Sequence, residues 1–122
     1  MAASSAGLHE DPEKLKPQTV DRHRAVVSLM EELEAVDWYD QRIDAADDAE
    51  LRQVLAHNRD EEKEHAAMML EWLRRHDAKL DEHLRTYLFT DKSLLEVEHE
   101  AEHGGVAAAA SDGCLNIGSL RK

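Results

Sequence analysis

Glu62 and His65 stand three residues apart in the stretch His57-Asn-Arg-Asp-Glu-Glu-Lys-Glu-His-Ala66, so on an α-helix both side chains point the same way. A carboxylate oxygen and an imidazole nitrogen presented together are ligands for a divalent transition metal. The pair sits at the centre of a regular apolar stripe, Leu51, Leu55, Asn58, Glu62, His65, Met69 and Trp72, spaced by alternating steps of four and three. An ionised carboxylate in a packing face is costly unless it is paired, protonated or bound to metal. Helix bundles that hold metals in their interior present Glu-x-x-His pairs inward in this manner. The competing reading is a buried ion pair, or a hydrogen-bonded pair at a subunit interface. The motif recurs as Glu96/His99 and Glu100/His103, but only Glu62/His65 falls on a well-patterned helix.

A metal needs more donors, and the preceding helical stretch offers Glu31, Glu32 and Glu34. Glu32 borders the apolar arc through Ala25, Leu29, Val36 and Tyr39, whereas Glu34 falls near Met30 and Val27. Periodicity leaves both open, and a solvated surface is the ordinary fate of either. One glutamate from this helix plus one Glu-x-x-His makes half of a site built from four carboxylates and two histidines, which a two-fold axis would complete. His57, Glu61 and Glu64 form a second stripe beside the first. They read either as a peripheral metal-attracting group or as a charged helix edge with ordinary ion pairs. Trp38 and Tyr39 follow the acidic cluster, and interface packing is the simpler account of Trp38.

The elements that must position these residues follow from the apolar spacing. Val20, Val26, Leu29, Met30, Leu33 and Val36 predict a helix over 19–39. Pro12 and Pro17 are tolerable only within an opening turn. Asp44-Ala-Ala-Asp47-Asp48 reads as a turn, with Asp47 or Asp48 the N-cap of a second helix over 48–76. A third helical stretch, 77–89, carries Leu80, Leu84, Tyr87 and Leu88 on one face. No Gly or Pro marks its join to the second. Residues 1–11 read as a disordered start, 12–90 as one helical domain, 91–110 as a flexible linker broken at Gly104-Gly105, and 111–122 as a small hydrophobic tail. The fold class is all-α, an antiparallel helical hairpin plus a short C-terminal helix. Two helices of about 30 Å make a hairpin without a full core. Two chains would close it as a four-helix bundle.

Composition agrees with that class. AVILMFWYC residues make up 42% of the 122 but aromatics only 4%, which suits one-faced helices better than a β-sandwich. Fifteen Lys and Arg against 27 Asp and Glu leave a net charge of −12, with eight His besides. Such a surface repels nucleic acid and anionic membranes and attracts cations. No segment approaches the roughly 20 apolar residues of a membrane span. The first eight residues lack the basic start and apolar run of a signal peptide. The single Cys114 excludes an internal disulfide framework and fits a reducing compartment.

The stretches Glu31-Glu-Leu-Glu-Ala-Val-Asp-Trp-Tyr-Asp40 and His57-Asn-Arg-Asp-Glu-Glu-Lys-Glu-His-Ala66 resemble the encapsulated ferritins, ferritin-like proteins of half length carried inside encapsulin nanocompartments. The tail, Leu115-Asn-Ile-Gly-Ser-Leu120-Arg-Lys, is similar to the encapsulin cargo-loading peptide. The resemblance implies a ferroxidase that oxidises Fe²⁺ to Fe³⁺ with O₂ for mineralisation and iron storage in the shell. It implies a di-iron centre from Glu32, Glu62 and His65 of two subunits, two iron ions per subunit dimer, with Tyr39 close by. Glu31 and Glu34, with Trp38 adjacent, match an acidic site that admits metal, and His57, Glu61 and Glu64 a peripheral metal-attracting site. The family's homodimers assemble into decameric rings, and the expected location is cytoplasmic, inside the nanocompartment. In the tail, Leu115, Ile117 and Leu120 would fill shell pockets, with Gly118 permitting a bend. Cys114, at the start of this motif, has no counterpart in the resemblance. Two rivals stand beside this reading: a non-catalytic acidic helical adaptor that buffers cations, and another di-metal oxidase of rubrerythrin-like or manganese type.

Overall fold

The computed structural model describes residues 7–110, with side chains described as far as Gly104. Among the described residues all regular structure is helical. A short 3₁₀ turn, Pro12–Lys14, precedes α1 (Pro17–Ala45), α2 (Ala49–Arg75), α3 (Ala78–Tyr87) and α4 (Leu94–Ala110). The chain divides between His76 and Asp77 into two compact units. No described helix is long and apolar enough to cross a membrane.

In the first unit, Pro12 and Pro17 each stand at the opening of their own element, where a missing N–H costs no helical bond. α1 runs six residues past the expected stop at Tyr39, and Asp44 belongs to the helix, not to the turn. The side chains explain the extension. Gln41 Nε2 donates to Asp37 Oδ2 at 3.2 Å one turn back, and the Arg42 guanidinium lies 5.9 Å and 5.6 Å from the Trp38 and Tyr39 rings. Only residues 46–48 remain to turn the chain. Asp48 then caps α2, its Oδ2 accepting from Leu51 N at 2.8 Å. At 29 and 27 residues, α1 and α2 are each about 40 Å long.

So short a loop forces the two helices antiparallel, and three polar contacts record the register. Arg59 Nη1 meets Asp40 Oδ1 at 2.9 Å, His65 Nδ1 lies 3.9 Å from Glu32 Oε1, and Arg22 Nη1 donates to the His76 carbonyl at 3.3 Å. Along α1 the seam follows Ala25, Leu29, Glu32, Val36, Tyr39 and Ile43, in steps of four and three, all buried or half-buried. Its counterpart on α2 follows Leu55, Arg59, Glu62, Ala66, Met69 and Leu73. Within this seam only Ala25, Ala66 and Leu73 are fully buried. Val26, Met30, Leu33, Trp38, Leu51, Val54 and Met68 remain exposed.

The second unit begins with a cap, which settles the join that lacked a Gly or Pro. Asp77 Oδ1 accepts from Leu80 N at 3.0 Å and so starts α3 as a helix of its own, because a short acidic side chain competes with the helical ladder for backbone N–H. α3 ends two residues before the expected limit. Phe89, at φ 63°, takes a left-handed conformation that few non-glycine residues adopt. The expected linker is where the secondary structure departs most from the reading above: Leu94–Ala110 is helical. Glutamate and alanine are strong helix formers, and Gly104 and Gly105 each cost only about 1 kcal/mol in a helix interior. Val97 is buried in this unit, and Lys92 Nζ meets Glu100 Oε1 at 3.0 Å. The expected tail, with Cys114, Leu115, Ile117, Gly118 and Leu120, lies outside the described residues.

Candidate metal centre

Glu32 projects from the middle of α1, opposite Glu62 and His65 on α2. One ligand atom from each lies within 4.8 Å of the other two, the only such three-residue cluster of metal-ligating side chains among the described residues. His65 turns Nδ1 toward both acids, 3.2 Å from Glu62 Oε1 and 3.9 Å from Glu32 Oε1. The side chains of Glu62, Glu32 and His65 are 24%, 27% and 43% exposed. The cluster is therefore half-buried along an edge of the seam and open on one side.

Glu32 and Glu62 interact across the seam through a side-chain hydrogen bond. That bond, then desolvation and the nearby Glu62 charge, hold Glu32 above its ordinary value, and Glu31 adds to the rise. Glu62 is held below its ordinary value by the same hydrogen bond and by the one to His65. His65 is raised, chiefly by its bond to Glu62 and then by the charges of Glu32 and Glu62. A divalent cation bound here would compete with protons for the same donor atoms. Two carboxylates and an imidazole suit iron or manganese by ligand type, and the residues present fit such an ion.

The other candidates are distributed differently. Glu31, Glu34 and Trp38 are exposed along one stripe of α1, and among the described residues Glu31 and Glu34 join no three-ligand cluster. Tyr39 is half-buried in the seam two turns beyond Glu32. His57 Nε2 pairs with Glu61 Oε2 at 3.3 Å, whereas Glu64 lines a separate, shallow 440 Å³ groove with Met68, Glu71, Trp72 and Arg75. Two residues escaped the sequence reading. Arg59, 25% exposed, joins Asp40 and Asp60 at 2.9 and 3.1 Å and pins the loop end of the hairpin. Its position three residues before Glu62, in the seam register, was the signal for it. Glu71 accepts from Arg74 and Arg75 at 2.7–2.8 Å, which pulls its carboxyl down to about 2.

A helical hairpin that gathers two carboxylates and an imidazole across its seam defines a ferritin-like helical protein with a candidate metal site. Comparison with known proteins gives the particular family. The EncFtn-like family model matches residues 7–91. An encapsulated ferritin-like protein of Rhodospirillum rubrum is 61% identical over 129 aligned positions, spanning 99% of this chain and 92% of that one. A ferritin-like protein of Thermotoga maritima is 54% identical over 79% of this chain and 84% of its own. An encapsulin nanocompartment cargo protein of Myxococcus xanthus is 31% identical over 79% of this chain and 81% of its own. Among solved structures, a protein of Nitrosomonas europaea superposes with a TM-score of 0.70 at 59% identity, over 71% of this chain and 96% of that one. The chain belongs to the encapsulated ferritin-like family.

Proposed function

We propose that the chain is a ferroxidase subunit whose site is completed by a second copy, with Fe²⁺ as substrate and O₂ as electron acceptor. The observation that carries this reading is the Glu32–Glu62–His65 cluster. Three donors from one chain are half of the set that two iron ions need, and a two-fold axis doubles them. Glu62 of each copy would be shared between the ions and Glu32 and His65 would complete each half, for two iron ions per subunit dimer. Two Fe²⁺ would give up one electron each to one O₂, which takes up two protons and leaves as hydrogen peroxide, while the iron leaves as Fe³⁺. The protein holds the ions together, excludes bulk water on the seam side, and offers hard oxygen donors that favour the ferric product. Tyr39 lines the seam nearby. Glu31 and Glu34, beside Trp38, pass the cation inward, and His57, Glu61 and Glu64 attract it at the periphery.

The exposed apolar residues of the hairpin support a second copy as the missing half of the bundle. A ring of dimers, a decamer, is the assembly this family membership favours. The cargo names of the relatives support a place inside an encapsulin nanocompartment in the cytoplasm, reached by docking of Leu115, Ile117, Gly118 and Leu120 into the shell protein. Addition of Fe²⁺ in air to the purified chain, followed optically, with native mass measured before and after metal, tests the reading. Rapid oxidation together with metal-strengthened assembly is expected. Absence of both would favour the cation-buffering adaptor.

A further inference from the structure

The repeated Glu-x-x-His motifs near the C-terminal end acquire a new meaning once residues 94–110 are helical. His99 and His103 are then one turn apart on the same face, and their rings stack with centroids 4.0 Å apart and an interplanar angle of 30°. Both are exposed. His103 Nδ1 lies 2.9 Å from the His99 carbonyl oxygen. A carbonyl oxygen only accepts, so this nitrogen carries the proton, and in the neutral ring Nε2 keeps its lone pair outward. Anchoring one imidazole nitrogen to a carbonyl is how metal-ligating histidines are oriented and made more basic.

The geometry points to a two-imidazole metal site on α4, formed by His103 Nε2 and a ring nitrogen of His99. Two histidines at positions i and i+4 of a helix chelate a metal from one face. Bonds of about 2.0–2.1 Å to each nitrogen place the pair roughly 3 Å apart, which the exposed His99 ring reaches by rotating out of the stack with His103. Lys92 engages Glu100 at 3.0 Å, which leaves the two imidazoles as the protein's donors. Water completes the coordination. Imidazole pairs prefer borderline divalent ions, Cu²⁺ above Ni²⁺ and Zn²⁺, in the general affinity order of these metals. The Glu32–Glu62–His65 cluster follows the same order but with harder oxygen donors, which suit iron and manganese better than an imidazole pair does. The chain thus carries two sites of different donor character, and the α4 site draws copper- or zinc-type ions.

The test is Cu²⁺ affinity of the full chain, measured by competition with a coloured chelator, for wild type, H99A and H103A, with H83A as control. The inference does not rest on iron oxidation, and the readout is independent of it. Loss of a direct ligand should cost no less than loss of an orienting partner, so each single variant should bind its tightest Cu²⁺ at least about tenfold more weakly. H83A should match wild type. Nitrogen splitting in the electron paramagnetic resonance signal of bound Cu²⁺ should indicate two imidazoles in wild type and one in either variant. Because both side chains are exposed, the variants should keep the helical circular dichroism of wild type. A loss smaller than tenfold in either variant, or an unchanged nitrogen pattern, overturns the site.

Discussion

Glu32 and Glu62 bring two carboxyls together across the α1–α2 seam, a contact that holds Glu32 above its ordinary value. The contact separates stability from binding. Glu32→Gln supplies a hydrogen-bond donor toward Glu62 and removes the competing acid. It should leave the melting temperature of the apoprotein unchanged or raised, and weaken anaerobic Fe²⁺ binding at least about tenfold. Thermal melting and a metal titration on the same sample check both halves. Glu71 behaves in the opposite way, since arginines hold its carboxyl at about 2 instead of the ordinary 4.5. A depressed folded-state value contributes stability that is present above pH 4.5 and lost as pH falls through about 2. Glu71→Gln should therefore melt slightly lower than wild type near neutral pH, the difference being small because the pair is solvent-screened. The two melting curves should converge at the acid end. These residues also mark the limit of what the sequence revealed. Periodicity placed Glu62 and His65 in a packing stripe and left Glu32 and Glu34 both open. Only the register of the hairpin brings Glu32 opposite the pair.

At the scale of elements, caps and side-chain pairs decide where helices begin and end, more than glycine and proline do. Asp48 was legible as an N-cap because a turn-like acidic cluster precedes an apolar stripe. Asp48→Ala should destabilise the hairpin by about 1 kcal/mol, read from a denaturant titration. The expected stop of α1 at Tyr39 rests on apolar spacing that fades there and on Asp44-Ala-Ala-Asp47-Asp48, which reads as a turn, yet the helix outruns it. The pairs Asp37–Gln41 and Trp38/Tyr39–Arg42 act three and four residues along the helix and carry it onward. The helix over 94–110 was missed for a similar reason. Its alternating acids and double glycine resemble a linker, whereas helix-forming glutamates and alanines and the burial of Val97 outweigh the glycine cost. Both misjudgements came from weighting punctuation above local pairing.

For the whole molecule, the governing fact is how little of the hairpin is buried. Three fully buried residues do not make a core for two helices of about 40 Å. Val26, Met30, Leu33, Leu51 and Val54 are each about half exposed and would gain on the order of 1 kcal/mol apiece if covered. The fold class was legible early because helical periodicity persists for some sixty residues. The expectation of a second copy rested on the small core and the half-set of ligands together. Leu33→Asp should accordingly lower native mass and make unfolding strongly concentration-dependent, as analytical ultracentrifugation and melting at two concentrations would show. Deletion of residues 115–122 should abolish loading into an encapsulin shell yet leave iron oxidation intact. Loss of oxidation as well would make the tail part of the fold.

The central claim is that Glu32, Glu62 and His65, doubled by a second copy, oxidise iron. Its most direct test is the initial rate of Fe²⁺ oxidation in air, measured by stopped-flow absorbance, for wild type and His65→Ala at equal protein concentration. The account predicts a fast phase in wild type, slowed by at least about tenfold in the variant without loss of helical content. Equal rates in the two proteins would contradict it.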